Sequence, residues 1–236
     1  MHKNGRMRTI GLIGGTSWLS TIEYYRVINQ AVHDQLGGMN SAKILLYSVN
    51  HEEFKPGDTT DWAAMAEKMS AIARNLERAG ADCILLCANT MHNMAEEVQA
   101  AISIPLLHVA DETAACIHSM KLKKVGLLGT RMTMELPFYK ERLLSHGIEP
   151  LVPDQADRDL IHHSIFTELS RGIFTQQTKE KYIRILHKLT EKGAEGIILG
   201  CTEIPLLISQ EDYPAPLFDT TTIHARAAVE FALAHP

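Results

Sequence analysis

The sequence is short of several things, and each shortage removes a class of protein. Cysteine is found at positions 83, 87, 116 and 201 only, and no C-x-x-C pair occurs. Nothing indicates an export route, so reduced thiols are expected and disulfides are not. Long apolar runs are missing too. The stretches 84–87 and 197–199 fall far short of the roughly 20 residues that cross a bilayer. The opening MHKNGRMRTIGLIGG carries positive charge but only a short apolar stretch before a glycine turn, which is not the pattern of a signal peptide. Residues 1–6 read as an unstructured lead-in. Basic charge is not in excess: 23 Lys and Arg stand against 28 Asp and Glu, a net charge of -5. That argues against a nucleic-acid partner, which needs a basic face. Metal-ligand spacing is lacking among the twelve histidines. His162 and His163 are adjacent, so their rings leave a helix on different sides, and no metal site is expected. A cytoplasmic protein with neither a membrane nor a nucleic-acid partner is the expectation.

What is present is ordinary globular material, 45% apolar and 22% charged. Short β-rich apolar runs at 8–13, 43–48, 83–87, 105–108, 124–128, 196–199 and 215–218 alternate with segments of helical period. The clearest helices are 21–36, 62–79 and 178–192. This alternation is the pattern of an α/β fold with mainly parallel sheets.

The chain also repeats itself. RTIGLIGGT from Arg8 resembles KKVGLLGTR from Lys123; GADCILLCANT from Gly80 resembles GAEGIILGCTE from Gly193; IPLLHVADETAA from Ile104 resembles APLFDTTTIHAR from Ala215. The offsets are 115, 113 and 111 residues, so order and spacing both hold. That period is too long for a solenoid and reads as a duplicated α/β half. Two pseudo-symmetric, Rossmann-like lobes are expected, one from 7–117 plus 219–236 and the other from 118–218. Ligands of parallel sheets sit beyond the carboxyl ends of the strands. An active site in the cleft between the lobes would then place the ends of 83–87 and 196–199 on opposite faces of one ligand.

The repeat aligns Ala88 with Cys201 and Asn89 with Thr202. Cys201 follows an apolar strand in a glycine turn, where backbone N–H groups favour a thiolate and lower the cysteine pKa. Thr202 adds a hydroxyl and Glu203 a carboxylate that accepts a proton or an ammonium hydrogen bond. A lone cysteine after a strand is also commonly just a small buried hydrophobe. Asn89 and Thr90 end the matching strand before a helical stretch near Met91; they read equally as a cap or as a cradle for a carboxylate. Thr16 and Ser17, and Thr130 and Thr133, sit in the turns after the first strand of each half. Neither turn fits a nucleotide-binding pattern, so small residues there serve either a close ligand or the turn itself. Cys83 and Cys87 share strand parity and leave by the same face, with Ala88 on the other.

The ordered motifs GLIGGTSWLSTIEYYRVIN, CANTMH, LLGTRMTME and GCTEIPLL resemble the aspartate/glutamate racemase superfamily, closest to its bacterial aspartate racemase and broad-specificity amino-acid racemase branch. The resemblance runs from about residue 8 to 231. It implies a two-lobed fold, a small amino-acid or carboxylic-acid substrate, no cofactor or metal, and a homodimer. It also implies a thiol on each face of the substrate α-carbon, one taking a proton and the other giving one. By position, Cys201 matches the second family cysteine, with Thr202 and Glu203 beside it. Asn89 and Thr90 match the pair after the first cysteine, and Thr16, Ser17, Thr130 and Thr133 match polar lining positions.

Two departures matter. The first family cysteine is replaced by Ala88, and Cys87 is one residue too early. The family's side-chain carboxylate grips are also missing: SVNHEEFKPGD follows the second strand without the expected arginine, and Ser170 stands at the lysine position beside Arg171. Three functions follow: a racemase driven by Cys201, a one-thiol decarboxylase resembling the arylmalonate decarboxylases, and an inert amino-acid-binding protein.

Overall fold

The computed structural model describes residues 7–54 and 60–234, so the lead-in expected at 1–6 lies outside the described residues. The chain resolves into two compact units, 1–108 with 224–236, and 109–223.

In the first unit, β1 (Ile10–Gly14) leads into α1 (Trp18–Leu36), β2 (Ile44–Ser48), α2 (Trp62–Arg78), β3 (Cys83–Leu86) and α3 (Ala95–Ala100). The strands form a parallel sheet in the order β2-β1-β3. Strand alternation sorts its side chains. Ile10, Leu12, Cys83, Leu85 and Cys87 face one way and pack on Tyr24, Val27 and Ile28 of α1. Ile13, Ile84 and Leu86 face the other way, onto Met65, Met69 and Ile72 of α2. Ser17 caps α1 by accepting from Ser20 N at 3.3 Å, a contact whose kind contributes about 1 kcal/mol. The strand expected at 105–108 is reduced to one bridge, Ile84 with Leu106.

The second unit comprises α4 (Val109–Ser119), β4 (Lys124–Gly129), α5 (Arg131–Glu135), α6 (Pro137–Ser145), β5 (Glu149–Leu151), α7 (Gln155–Thr167), α8 (Gln176–Glu191), β6 (Gly196–Gly200), α9 (Ile204–Leu207), β7 (Leu217–Asp219) and the start of α10 (Thr220–Leu233). Its parallel sheet has the order β5-β4-β6-β7. The repeat therefore extends to topology. β1 and β4 lie inside their sheets, with β2 or β5 on one side and β3 or β6 on the other.

The unit boundary falls at 108/109 instead of after 117. Val109, Ala110, Ala114 and Ile117 of α4 pack against Val125, Leu127, Tyr139 and Leu143, all in the second unit. The return falls at 223/224 instead of 218/219.

Candidate active site

The ends of β4 and β6 lie side by side because Gly129 pairs in register with Gly200. A Cβ on Gly200 would stand 2.6 Å from the Leu128 carbonyl oxygen, so only glycine lets the two strand ends approach this closely. Directly after Gly200 comes Cys201, 9% exposed and packed in the cluster that holds Tyr182 and Ile204. Its Sγ–H donates to Glu203 Oε2 at 2.9 Å. The Thr202 hydroxyl donates to the same oxygen at 2.7 Å. Glu203 is itself buried. In the neighbouring turn, Thr130 caps α5 by accepting from Thr133 N, and the two hydroxyls stand 3.2 Å apart.

This geometry corrects the expected thiolate. Burial pushes the Cys201 thiol well above its ordinary pKa, and the Glu203 carboxylate, by its charge and by accepting the thiol proton, pushes it further. The anticipated backbone donors are present, from Glu203 and Thr202, and act in the opposite sense. Desolvation and the adjacent negative charge outweigh them. Cys201 rests as a protonated thiol hydrogen-bonded to a carboxylate.

In the first unit the ends of β1 and β3 are likewise adjacent: Ile13 pairs with Leu86, and Cys87 N donates to Ile13 O at 2.9 Å. Gly15 has φ +90, and a Cβ there would collide with the Val49 backbone, which fixes the turn that carries Thr16 and Ser17. The Thr16 hydroxyl is buried without a hydrogen-bond partner. Leaving a hydroxyl in that state costs about 1–3 kcal/mol, which marks the position as one kept for something other than stability. His51 Nδ1 meets the Thr16 carbonyl. At the end of β3, Asn89 and Thr90 are buried in the first turn of a 3-10 helix spanning Asn89–Met94. Ala88 occupies the cap position and offers no side-chain hydrogen bond, so Asn89 is not the cap that the sequence suggested. Cys87 packs into the core opposite α1 and burial drives its thiol pKa up; burial also pushes Cys83 to about 12. Neither is placed to replace the missing thiol.

The two sets of residues belong to different units: Thr16, Ser17, Ala88, Asn89 and Thr90 to the first, and Thr130, Thr133, Cys201, Thr202 and Glu203 to the second. Within each unit the structure brings its set together at adjacent strand ends.

Sequence reasoning passed over a histidine group behind the first set. His92 Nδ1 stands 3.1 Å from the Ala88 carbonyl oxygen, so that nitrogen carries the proton. Its Nε2 is buried without a partner. The rings of His108 and His224 stand edge-on to it, at 4.7 and 5.4 Å between centroids. His224 is held by Tyr24 Oη at 2.9 Å and the Leu107 carbonyl at 2.8 Å. Burial holds His92 well below the usual imidazole range and His224 down to about 4, so both are neutral near pH 7. The signal available in the sequence was His92 at four residues from Ala88. Ser170, at the family's lysine position, is half-buried and spends its hydroxyl on the Phe166 carbonyl. Among the described residues, no group of three or more His, Cys, Asp or Glu is arranged to hold a metal, and no helix is long and apolar enough to cross a membrane.

Comparison with known proteins gives a consistent picture. The family model described as Asp/Glu/Hydantoin racemase matches residues 13–228. The chain is 26% identical over 229 residues to the broad specificity amino-acid racemase RacX of Bacillus subtilis (strain 168), covering 96% of this chain and 99% of that one. Among solved structures, a candidate Asp/Glu racemase from Yersinia pestis superposes with a TM-score of 0.92 at 49% identity, over 97% of this chain and all (100%) of the other. An aspartate racemase homologue from Pyrococcus horikoshii OT3 superposes with a TM-score of 0.87 at 35% identity, over 97% and 100%. The chain belongs to the Asp/Glu/hydantoin racemase family.

Proposed function

We propose that the chain is a cofactor-independent amino-acid racemase, acting in the cytoplasm, in which Cys201 and Glu203 work as one acid–base pair. The contact between Cys201 Sγ and Glu203 Oε2 at 2.9 Å carries this reading. As base, the pair passes the thiol proton to Glu203 and leaves a thiolate, which takes the substrate α-proton. As acid, the same route runs backwards and the thiol returns a proton to the α-carbon. A carbon acid of this kind forms a transient enediolate-like anion on its carboxylate. Thr202, Thr130 and Thr133, with the hydroxyls and amides of Thr16, Ser17, Asn89 and Thr90, are the donors we assign to that anion. Donors fixed before the reaction stabilise the transition state more than the ground state.

Ala88 supplies no proton to the opposite face, so water or the Thr90 hydroxyl provides it there. That transfer is passed in both directions, so its slowness lowers the turnover of both enantiomers. The absence of the family's arginine and lysine grips supports substrates with neutral or hydroxylated side chains over aspartate. Relatives named as amino-acid, aspartate and glutamate racemases support the reaction class.

One specific feature favours a second reading. A single family thiol, with alanine at the other family cysteine position, also suits a decarboxylase of substituted malonates, in which Cys201 protonates the carbanion after CO2 leaves. Chiral chromatography of single enantiomers of a panel of amino acids, run beside CO2 release from phenylmalonate and methylmalonate, separates the two. Interconversion of enantiomers without CO2 release is expected. CO2 release without interconversion replaces the first reading with the second, and neither activity leaves an inert binding protein.

A further inference from the structure

We propose that the Arg131–Asp159 pair is the specificity determinant of the candidate site: it meets the substrate side chain with a cation that is already neutralised, and so favours uncharged, hydrogen-bonding side chains over carboxylates. The inference rests on the racemase reading and adds to it the residues that choose the substrate.

Arg131 is a cation at the carboxyl end of a parallel strand, where ligands of such sheets sit. It opens α5 directly after β4, between Thr130 and Thr133. It is also two residues beyond Gly129, whose register partner Gly200 directly precedes Cys201. Helix α5 rests on that partner: a methyl carbon of Thr133 lies 3.2 Å from where a Cβ on Gly200 would stand. The guanidinium is therefore rooted in the same turn as the hydroxyls of the site. Helix α7 holds it there. Arg131 N donates to His162 Nδ1 at 3.1 Å, and Arg131 Nη2 donates to Asp159 Oδ1 at 2.8 Å. Asp159, His162 and Phe166 are spaced by three and four residues along α7 and so share one face. The ring of Phe166, 44% exposed, stands edge-on to His162 at 4.9 Å between centroids. An aromatic ring beside a neutralised ion pair suits a side chain without charge of its own.

The pair is made with only part of the bonding open to it. Arg131 Nη2 and Gln155 Nε2, the latter at 3.1 Å, both donate to Asp159 Oδ1. Arg131 Nε is buried without a partner. A guanidinium and a carboxylate often meet through two parallel bonds, and here the second is unmade. A buried donor left unmade carries a desolvation cost, so a contact between α5 and α7 gains nothing from this arrangement. Hydrogen bonds from Gln155 and Arg131 hold the Asp159 carboxyl below the ordinary carboxylate range, which keeps it charged. Both side chains stay open to a ligand, at 43% and 47% exposure. A substrate carboxylate arriving there meets the charge of Asp159 as well as that of Arg131, and like charges side by side select against it. A hydroxyl or amide meets no such repulsion and can donate to Asp159 Oδ2, which neither of the two donors uses.

The test compares L-serine with L-aspartate in the full chain, in Asp159→Asn, and in the double variant Arg131→Met with Asp159→Asn. Two readouts are taken: kcat/KM by chiral chromatography and, independently of turnover, the rise in melting temperature that each amino acid produces. Removing the Asp159 charge unmasks the guanidinium. The preference for aspartate over serine is expected to rise at least about tenfold in Asp159→Asn, with aspartate then giving the larger rise in melting temperature. The double variant is expected to lose that gain, because no cation is left to unmask. Arg131→Met alone leaves an unpaired carboxylate and is expected to move the preference toward L-lysine. An unchanged preference in Asp159→Asn, or a gain that persists in the double variant, overturns the proposal. Should Asp159→Asn lose its far-ultraviolet dichroism, Asp159→Ser decides by the same criteria. A wild type that turns over no amino acid contradicts the racemase reading alone, and the melting temperatures still decide the role of the pair.

Discussion

The ends of β3 and β6 are two answers to one structural plan. Each finishes a buried parallel strand beside the first strand of its unit, and each opens into a turn that carries buried polar side chains, Asn89 and Thr90 at one and Glu203 at the other. At β6 the turn presents Cys201 with a carboxylate on its proton. At β3 the equivalent position is Ala88, backed by a histidine bonded to its carbonyl oxygen. On the proposed reading one end moves a proton, and the other holds only its backbone and its polar neighbours in place. The repeat keeps the scaffold at both ends and a thiol at only one of the two positions.

That asymmetry is broken most severely at the reactive end. Cys201→Ala removes the acid and base together, and a loss of at least about 10³-fold in α-proton turnover is expected, measured by chiral chromatography. Glu203→Gln keeps the thiol but takes away its proton acceptor; turnover is expected to fall by about 10²-fold. The same change removes two of the causes that raise the thiol pKa while leaving burial. Iodoacetamide is therefore expected to label Cys201 faster in the Gln variant at any given pH, even as activity falls. A variant that loses both labelling and activity contradicts the pair.

The comparison is sharpened from the other side by Ala88→Cys. A thiol at this family cysteine position supplies the second proton donor that the proposed mechanism lacks, and a rise of about tenfold in the turnover of both enantiomers is expected from initial rates of each. Unchanged rates for both enantiomers mean that position 88 does not face the reacting carbon.

A smaller effect concerns stability. The His224 pKa is about 6.5 in the unfolded chain and about 4 when buried. Its contribution is complete above pH 6.5 and is lost as the pH falls toward 4. Integrated over that window it is worth roughly 3 kcal/mol, and His92 shifts in the same direction. Urea midpoints are expected to fall between pH 7 and pH 5, and His224→Gln is expected to flatten that dependence.

Much of this was legible in the sequence for a physical reason. Strands buried on both faces must be apolar throughout, and the repeated offsets carried the strand order from one half to the other. That Thr130 and Thr133 follow β4, and Cys201, Thr202 and Glu203 the adjacent β6, was legible from the strand ends. Three features were not legible. The strand at 105–108 shrank to a bridge although Pro105 matches Pro216, after which a three-residue strand forms, so the local sequence does not distinguish the two. The sign of the Cys201 shift depends on how deeply the thiol is buried and where the Glu203 carboxylate points, both of which are tertiary facts. The His92, His108 and His224 group joins residues far apart in the chain, beyond the reach of local spacing.

The central claim is that the Cys201–Glu203 pair exchanges the α-proton of an amino acid. Proton NMR in D2O, following the α-hydrogen signal of each amino acid in turn, tests it directly. The account predicts loss of that signal for at least one amino acid with the wild-type protein, at a rate abolished by Cys201→Ala. Persistence of every α-hydrogen signal, or washout that continues undiminished in the alanine variant, contradicts it.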